Sequence, residues 1–335
     1  MAMIPIAVFH FLFAAIVISS LVLMWLFRYF FSATFLPSAL FLVVVLAALL
    51  KVVSTVFANT MMFAGHGFPF FGLEALGPSS PHGDFACACR HNTNNVVLEH
   101  YRDAKFNYNP IYHYYLYKTK DADPTSTTTI FFLHGNGQPA CCFSGFAELL
   151  HHYHKKANVV LLEYRGYGRR RLTAASFSDL PAMRSDISLA WSHLHSSEGL
   201  RGPRVLAGLS LGGGFAWSSL DQLSPAPRQL VLINTFADLG LFLRKETKLY
   251  YPAVRRLLPS ALTCYDVGLC RGFWAGDVLC VSTKDDDFFG PEHRKAFREH
   301  FGERGATWEE FVCPDGGHNG GPAINQGWLK MLKVE

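Results

Sequence analysis

Gly208-Leu209-Ser210-Leu211-Gly212 is the stretch that decides how this chain is interpreted. It lies between an apolar run at 204–207 and a stretch typical of a helix at 213–223. The pattern predicts a sharp strand-to-helix turn, because glycines two residues either side of the serine relieve the steric clash of such a turn. A turn of this kind exposes a serine hydroxyl as a nucleophile. The alternative is an ordinary glycine-rich turn without a catalytic role. The other motifs of the chain distinguish these two interpretations.

The chain is more apolar than an average soluble domain, and the excess lies at its start. Of its 335 residues, 50% are hydrophobic and 17% are charged. Between residues 1 and 73 the charged residues are Arg28 and Lys51 alone. The uncharged run at 4–27 is long enough for a bilayer core, which needs about 20 residues. The next apolar run, 29–50, contains Pro37, which a membrane helix tolerates.

We therefore expect residues 1–60 to form a membrane anchor with two transmembrane helices, at 4–27 and 35–57. One span followed by an interfacial segment is the alternative. A cleaved signal peptide is disfavoured, because no basic segment precedes the apolar stretch and the stretch is far too long. The expected location is thus integral to a membrane, and the bilayer is an expected partner.

Neither nucleic acid nor metal is expected as a partner. The net charge is +4, and the basic run Arg169-Arg170-Arg171 has no interleaved aromatic residues, which is typical of a solvated loop. The eight cysteines show no paired C-x-x-C spacing. The histidines at 151, 152 and 154 lie beside two lysines, as at a solvated helix end. We expect no metal site and no cofactor.

From residue 95 onward, apolar and β-branched runs alternate with helical stretches. The predicted strands lie at 96–101, 111–117, 128–133, 158–163, 204–207, 229–233, 278–282 and 307–312. The predicted helices lie at 143–156, 182–195, 211–223, 291–301 and 323–333. This alternation predicts an α/β domain with a mostly parallel sheet and helices on both faces, led by an antiparallel pair.

The α/β domain is predicted to span residues 95–335, after a linker at 61–94 that is rich in glycine, proline and histidine. Residues 236–276 interrupt the alternation between two predicted strands. We interpret them as a short lid over the site, with extra helices at the sheet edge as an equal alternative.

Reactive groups collect at the carboxyl ends of the strands in such a sheet. His318 follows the last predicted strand between glycines and is the candidate base. Three aspartates follow the strand before it; Asp286 is favoured as the acid from its distance to the strand end, and Asp285 is second. Such an acid would orient the imidazole and stabilise its charged form, so Ser210, Asp286 and His318 are predicted to form a catalytic triad.

Two loops are expected to supply backbone donors for an oxyanion. The residue after the nucleophile, Leu211, is one donor. The other is expected in His134-Gly135-Asn136-Gly137, whose glycines let backbone N–H groups approach a substrate oxygen. Asn136 is the favoured donor and Gly137 the alternative, while His134 is expected to brace the loop rather than to act as a base.

These segments resemble the α/β-hydrolase superfamily, and more narrowly its membrane-anchored members with HGN, YRGYG and GxSLGG motifs. The likeness spans about residues 95–334. The matching segments are His134-Gly135-Asn136-Gly137, Tyr164-Arg165-Gly166-Tyr167-Gly168, Gly208-Leu209-Ser210-Leu211-Gly212-Gly213, Asn234-Thr235-Phe236 and Gly317-His318-Asn319. The chain departs from that pattern at Arg169-Arg170-Arg171, where the family has a small residue and a glycine. It departs again at Ser282-Thr283, where the family has His-Gly or Ser-Gly.

The resemblance implies an α/β-hydrolase fold with Ser210 as nucleophile, Asp286 as acid and His318 as base. It also implies a membrane-anchored serine hydrolase that cleaves acyl ester or thioester bonds of a lipid-like or acylated substrate. A serine peptidase of the same fold is an alternative, although the insertion at 236–276 is short for the cap of such enzymes. A non-catalytic membrane adaptor is a further alternative, which the competent residues at every triad position disfavour.

Overall fold

The computed structural model describes residues 106–119, 123–135, 140–154, 157–165, 170, 180–242, 266–267 and 274–334. The expected anchor at 1–60, the linker at 61–94 and the strand at 96–101 lie outside these residues. Across the ranges just given, no helix is at once long and apolar enough to cross a bilayer. The two transmembrane helices therefore stay a prediction.

Eight strands form one sheet in the order β1-β2-β4-β3-β5-β6-β7-β8. The strand β2 runs antiparallel to β1 and β4, and the remaining neighbouring pairs are parallel. The mostly parallel sheet predicted from the alternating pattern is thus confirmed. The strands are β1 Phe106–Asn109, β2 Tyr114–Tyr117, β3 Thr129–Leu133, β4 Asn158–Leu162, β5 Arg204–Leu209, β6 Gln229–Ile233, β7 Asp277–Thr283 and β8 Thr307–Cys313.

Helices cover both faces of the sheet, as predicted, because alternate residues of each strand point to opposite sides. On β3, the Phe132 ring lies 4.7 Å from Phe146, whereas the Phe131 ring lies 5.5 Å from Trp191. These two contacts place the first and second helices on opposite faces. The helices are α1 Ser144–Tyr153, α2 Leu180–Ser196, α3 Leu211–Ser219, α4 Pro291–Gly302 and α5 Gly317–Ile324, with 3-10 turns at Ala140–Phe143, Leu220–Gln222 and Gln326–Met331.

The leading hairpin differs from the prediction. The observed partner of β2 is the short strand β1, not the predicted strand at 96–101. Its four residues, Phe-Asn-Tyr-Asn, form a run too short and too polar to stand out in a hydrophobicity pattern. The turn is set by Asn109, whose Oδ1 accepts the N–H groups of Ile111 and Tyr112 at 3.0 Å each.

The end of the chain also differs. A helix was predicted at 323–333, but α5 begins at Gly317 and a 3-10 turn follows at Gln326–Met331. The sequence of α5 is rich in glycine and contains Pro322, so helix propensity argues against it. Tertiary contacts stabilise it instead, since the Asp285 carboxylate accepts the N–H of Gly317 at 2.9 Å.

The predicted lid at 236–276 is described at its two ends. Asp238 and Asp266 form an antiparallel bridge, and the N–H of Val267 donates to the carbonyl of Ala237 at 2.7 Å. The two ends of the insertion are therefore joined next to the sheet. Residues 243–265 and 268–273 lie outside the described residues, so the lid stays a prediction.

Glycines allow three backbones to meet where β5 turns into α3. A Cβ on Gly212 would lie 2.1 Å from the carbonyl oxygen of Leu133, and one on Gly208 would lie 2.3 Å from that of Gly212. Neither overlap can be relieved by a side-chain movement, because the opposing atoms belong to the backbone. The packing of α3 against β3 and β5 therefore requires glycine at both positions.

Substituting Gly212→Ala is expected to lower the free energy of unfolding by about 3 kcal/mol, with Tm falling on the order of 10 °C. Gly302→Ala is the matched control, because a Cβ there meets no atom within 4 Å and the residue ends helix α4. That control should raise stability by about 0.5 kcal/mol. Thermal unfolding followed by circular dichroism measures both changes, and equal Tm values for the two variants would contradict the packing argument.

Candidate active site

Ser210 lies at the turn between β5 and α3 with φ 52° and ψ −115°. Residues other than glycine rarely adopt this backbone conformation, so the Ser210 backbone is strained. Its backbone is held on both sides: the Ser210 N–H donates to the carbonyl of Ile233 at 2.9 Å, and Thr235 Oγ1 donates to the Ser210 carbonyl at 2.6 Å. These bonds keep the serine at the apex of the turn.

The structure brings Ser210, His318 and Asp286 into one hydrogen-bonded chain. Ser210 Oγ lies 2.9 Å from His318 Nε2, and His318 Nδ1 lies 3.0 Å from Asp286 Oδ2. With the ring proton on Nδ1, the imidazole donates to the carboxylate and accepts from the hydroxyl. The three side chains follow β5, β7 and β8, so parallel strands bring them to one edge of the sheet.

Asp286 is buried, with 1% of its side chain exposed. Its Oδ1 accepts the N–H groups of Phe288 at 2.8 Å and Phe289 at 3.2 Å. Burial raises the pKa of this carboxyl, but the hydrogen bond and charge of His318 and the two backbone donors outweigh it. The pKa lies below the usual 3.8, so the carboxylate is charged at neutral pH.

The neighbouring aspartates have different surroundings. Asp285 is exposed, and its Oδ1 accepts the N–H of Gly317 at 2.9 Å, at the start of the helix that carries His318. Asp287 is also exposed. Among the three, the contact with the imidazole belongs to Asp286, while Asp285 holds the backbone beside it.

Asn234 holds His318 from the other side, a role that sequence reasoning missed. Its Nδ2 donates to the carbonyl of His318 at 2.7 Å and to Thr283 Oγ1 at 3.0 Å, so both amide hydrogens are used. The residue has φ 39° and is 2% exposed. An asparagine directly after a buried strand was the available signal, because a polar side chain buried there needs partners.

The predicted oxyanion donors are partly described. Leu211 is the first residue of α3, where the helix leaves its backbone N–H without an intrahelical acceptor. The loop after β3 begins beside the serine, since a Cβ on Gly135 would lie 3.6 Å from Ser210 Cβ. Asn136 and Gly137 lie outside the described residues, so the donor from this loop stays a prediction.

Two residues after β4, Glu163 and Tyr164, bond the backbone at His134 and Ala140, on either side of the loop that follows β3. The Tyr164 hydroxyl donates to the carbonyl of His134 at 2.9 Å, and the two rings stack at 3.9 Å. Glu163 Oε1 accepts the N–H of Ala140 at 3.1 Å. Burial lowers the pKa of His134 to about 3, so its ring is neutral and braces the loop rather than binding a proton.

Two arginines that follow Tyr164, Arg165 and Arg170, pair with a carboxylate of α2. Arg165 donates to both oxygens of Asp186 at 2.6 and 2.7 Å, and Arg170 donates to Asp186 Oδ2 at 2.7 Å. The burial of Asp186 raises the pKa of its carboxyl, but the two guanidinium groups hold it below its usual value. The basic run at 169–171 was expected to be a solvated loop, but Arg170 is buried in this pairing.

Phenylalanine rings line the site next to His318. The rings of Phe288 and Phe289 lie 4.8 and 5.2 Å from the imidazole. Phe236 packs on Phe289 at 5.5 Å, and Phe242 packs on the same ring at 5.8 Å. We call these four residues the aromatic wall; Phe242, Phe288 and Phe289 are half-buried, and Phe236 is buried. In the part of the chain that is described, no three metal-ligating side chains are grouped for an ion.

The chain belongs to the alpha/beta hydrolase family. The family model matches residues 130–328, which include the strands β3 to β8 and the hydrogen-bonded chain of Ser210, His318 and Asp286. Curated proteins gave no sequence match.

Solved structures that match this chain include esterases. Esterase 2 of Thermogutta terrifontis, phosphonylated by sarin, has a TM-score of 0.50 and 17% identity; the match covers 69% of this chain and 92% of that one. The propionate-bound form of this esterase has a TM-score of 0.49 and 18% identity, with 65% and 86% covered. A Pyrococcus furiosus esterase has a TM-score of 0.46 and 16% identity, with 65% and 82% covered. At such identity the likeness to esterase 2 indicates a shared fold.

Replacing Asp286 with asparagine is expected to lower kcat for a chromogenic ester by about 10⁴-fold, because a neutral amide neither fixes the imidazole tautomer nor stabilises its charge. Asp285→Asn is the matched control. Asparagine there still offers an oxygen to the N–H of Gly317, so kcat should change by less than about threefold. Steady-state kinetics of both variants gives the comparison, and a larger loss at position 285 would reverse the assignment.

Proposed function

We propose that this protein is a membrane-anchored serine hydrolase that cleaves acyl ester or thioester bonds. The single observation that supports this proposal most strongly is the chain from Ser210 Oγ through His318 to the buried Asp286 carboxylate. A nucleophile, a base that contacts it and a charged group that orients the base are the parts that acyl transfer requires. Membership of the alpha/beta hydrolase family and the fold shared with esterase 2 of T. terrifontis support the same chemistry.

The reaction follows from these contacts. Ser210 Oγ attacks the acyl carbon while its proton passes to His318 Nε2, and Asp286 stabilises the resulting imidazolium. The N–H of Leu211 and a donor from the loop at 134–137, with Asn136 favoured, stabilise the negative oxygen. The carbon–oxygen or carbon–sulfur bond then breaks, and the leaving alcohol or thiol takes the proton from Nε2.

Water completes the cycle. His318 takes a proton from the water as its oxygen attacks the acyl-enzyme, the bond to Ser210 Oγ breaks, and the serine regains its proton. The products are a carboxylic acid and the free enzyme. No cofactor takes part in either half of this proposed cycle.

The proposed substrate is lipid-like or acylated, and two features support this. The apolar segment at 1–60 would keep the catalytic domain at a bilayer, where such molecules concentrate. The half-buried rings of Phe288 and Phe289, which contact His318, fit an apolar substrate better than a charged one.

A fluorophosphonate probe is expected to label the full-length protein covalently, and Ser210→Ala should abolish the labelling. The same substitution should lower kcat on the order of 10⁶-fold, since the three residues act as a unit. Gel fluorescence after labelling and hydrolysis of p-nitrophenyl esters are the two measurements. Esterase 2 of T. terrifontis reacts with an organophosphonate, sarin, which makes this reagent class the appropriate one.

Three outcomes would overturn the proposal. Labelling that survives Ser210→Ala would place the nucleophile elsewhere. Faster turnover of aminoacyl anilides than of the esters would make the protein a serine peptidase of the same fold. A folded protein that neither turns over nor labels, but captures a defined protein, would be the non-catalytic adaptor.

A further inference from the structure

We propose that the aromatic wall binds the leaving group, so that the enzyme selects esters or thioesters whose alcohol or thiol part is apolar. This inference rests on the proposed function, because it assigns a substrate part to a site defined by the triad. The chemistry of the triad does not determine whether the acyl part or the leaving group of the substrate is recognised; the proposal assigns recognition to the leaving group.

The order of strands in the sheet separates the two sides of the site. The loop that begins at Gly135 follows β3, which lies on one side of β5 and Ser210. Phe236 and Phe242 follow β6, and Phe288 and Phe289 follow β7, which lie on the other side. The wall and the loop that follows β3 therefore lie on opposite sides of the strand that carries the serine.

The chemistry assigns one direction to each part of the substrate. In the tetrahedral intermediate, the negative oxygen points to the oxyanion donors. The leaving oxygen or sulfur must lie within about 3 Å of His318 Nε2 to take its proton. In the proposal, the atoms attached to the leaving atom pack against the rings of Phe288 and Phe289, whose centres lie 4.8 and 5.2 Å from the centre of that imidazole.

The wall can be altered without removing the bonds that hold the acid. Phe288 and Phe289 contribute backbone N–H groups to Asp286, whereas their side chains contact the imidazole. An alanine at position 288 keeps the N–H group and removes the ring. The ring is half-buried, so its loss leaves no large cavity in the core.

The test uses two series of esters with the full-length protein. One series keeps an acetyl group and lengthens the alcohol from methyl to hexyl; the other keeps methanol and lengthens the acyl chain. Each methylene buried against the wall should raise kcat/KM about fourfold in the alcohol series of the unaltered protein. Phe288→Ala should reduce that factor to below about twofold, while the dependence on acyl length stays as it was.

Three further variants complete the design. Phe288→Leu keeps an apolar side chain and should retain most of the dependence on alcohol length. Phe242→Ala should lower that dependence as Phe288→Ala does, because its ring packs against Phe288 at 6.4 Å. Tyr153→Ala, which removes a ring 37% exposed on α1, should change neither series.

The inference is overturned if Phe288→Ala flattens the acyl series instead of the alcohol series, or if it flattens neither. It is also overturned if Phe288→Leu lowers the dependence of kcat/KM on alcohol length as much as Phe288→Ala does. Failure of the proposed function looks different: turnover of all esters, in both series, would then survive Ser210→Ala. A lowered Tm would show that Phe288→Ala does not fold properly. In that case the Phe288→Leu and Phe242→Ala variants are compared instead.

Discussion

The close approach of three backbones around Ser210 is the constraint on which the site depends. Gly212 brings the first turn of α3 against the carbonyl of Leu133, where a side chain would overlap it. The same contact places the first turn of α3 beside the backbone of Leu133 and His134, so the helix packing and the proposed oxyanion site share one cause. The strained φ of Ser210 persists because Ile233 and Thr235 bond its backbone on both sides.

Hydrogen bonds between strand ends hold His318 and Asp286, the proposed base and acid. Asn234, after β6, donates to the carbonyl of His318, and Asp285, after β7, accepts the N–H of Gly317. These two bonds hold the backbone at His318 and Gly317, in addition to the contact between the His318 ring and Asp286. A glycine-rich segment with little tendency to form a helix becomes α5 because these contacts hold its start.

Much of this arrangement could be predicted from the sequence, because buried strands leave long apolar runs and parallel strands bring their ends together. Three features depended on information that no local pattern contains. The strand β1 is too short to recognise, and α5 needs the distant Asp285. Asp285 and Asp286 are chemically identical, and the backbone turn at Phe288 and Phe289 decides which of them meets His318.

The Asp286 carboxylate is anchored by main-chain amides, which every residue except proline possesses. The side chains at positions 288 and 289 are therefore not needed to bind the Asp286 carboxylate. Any residue other than proline at these positions keeps its backbone N–H, so the side chains can change while Asp286 stays in place. The proposed reaction is thus compatible with different side chains at these two positions.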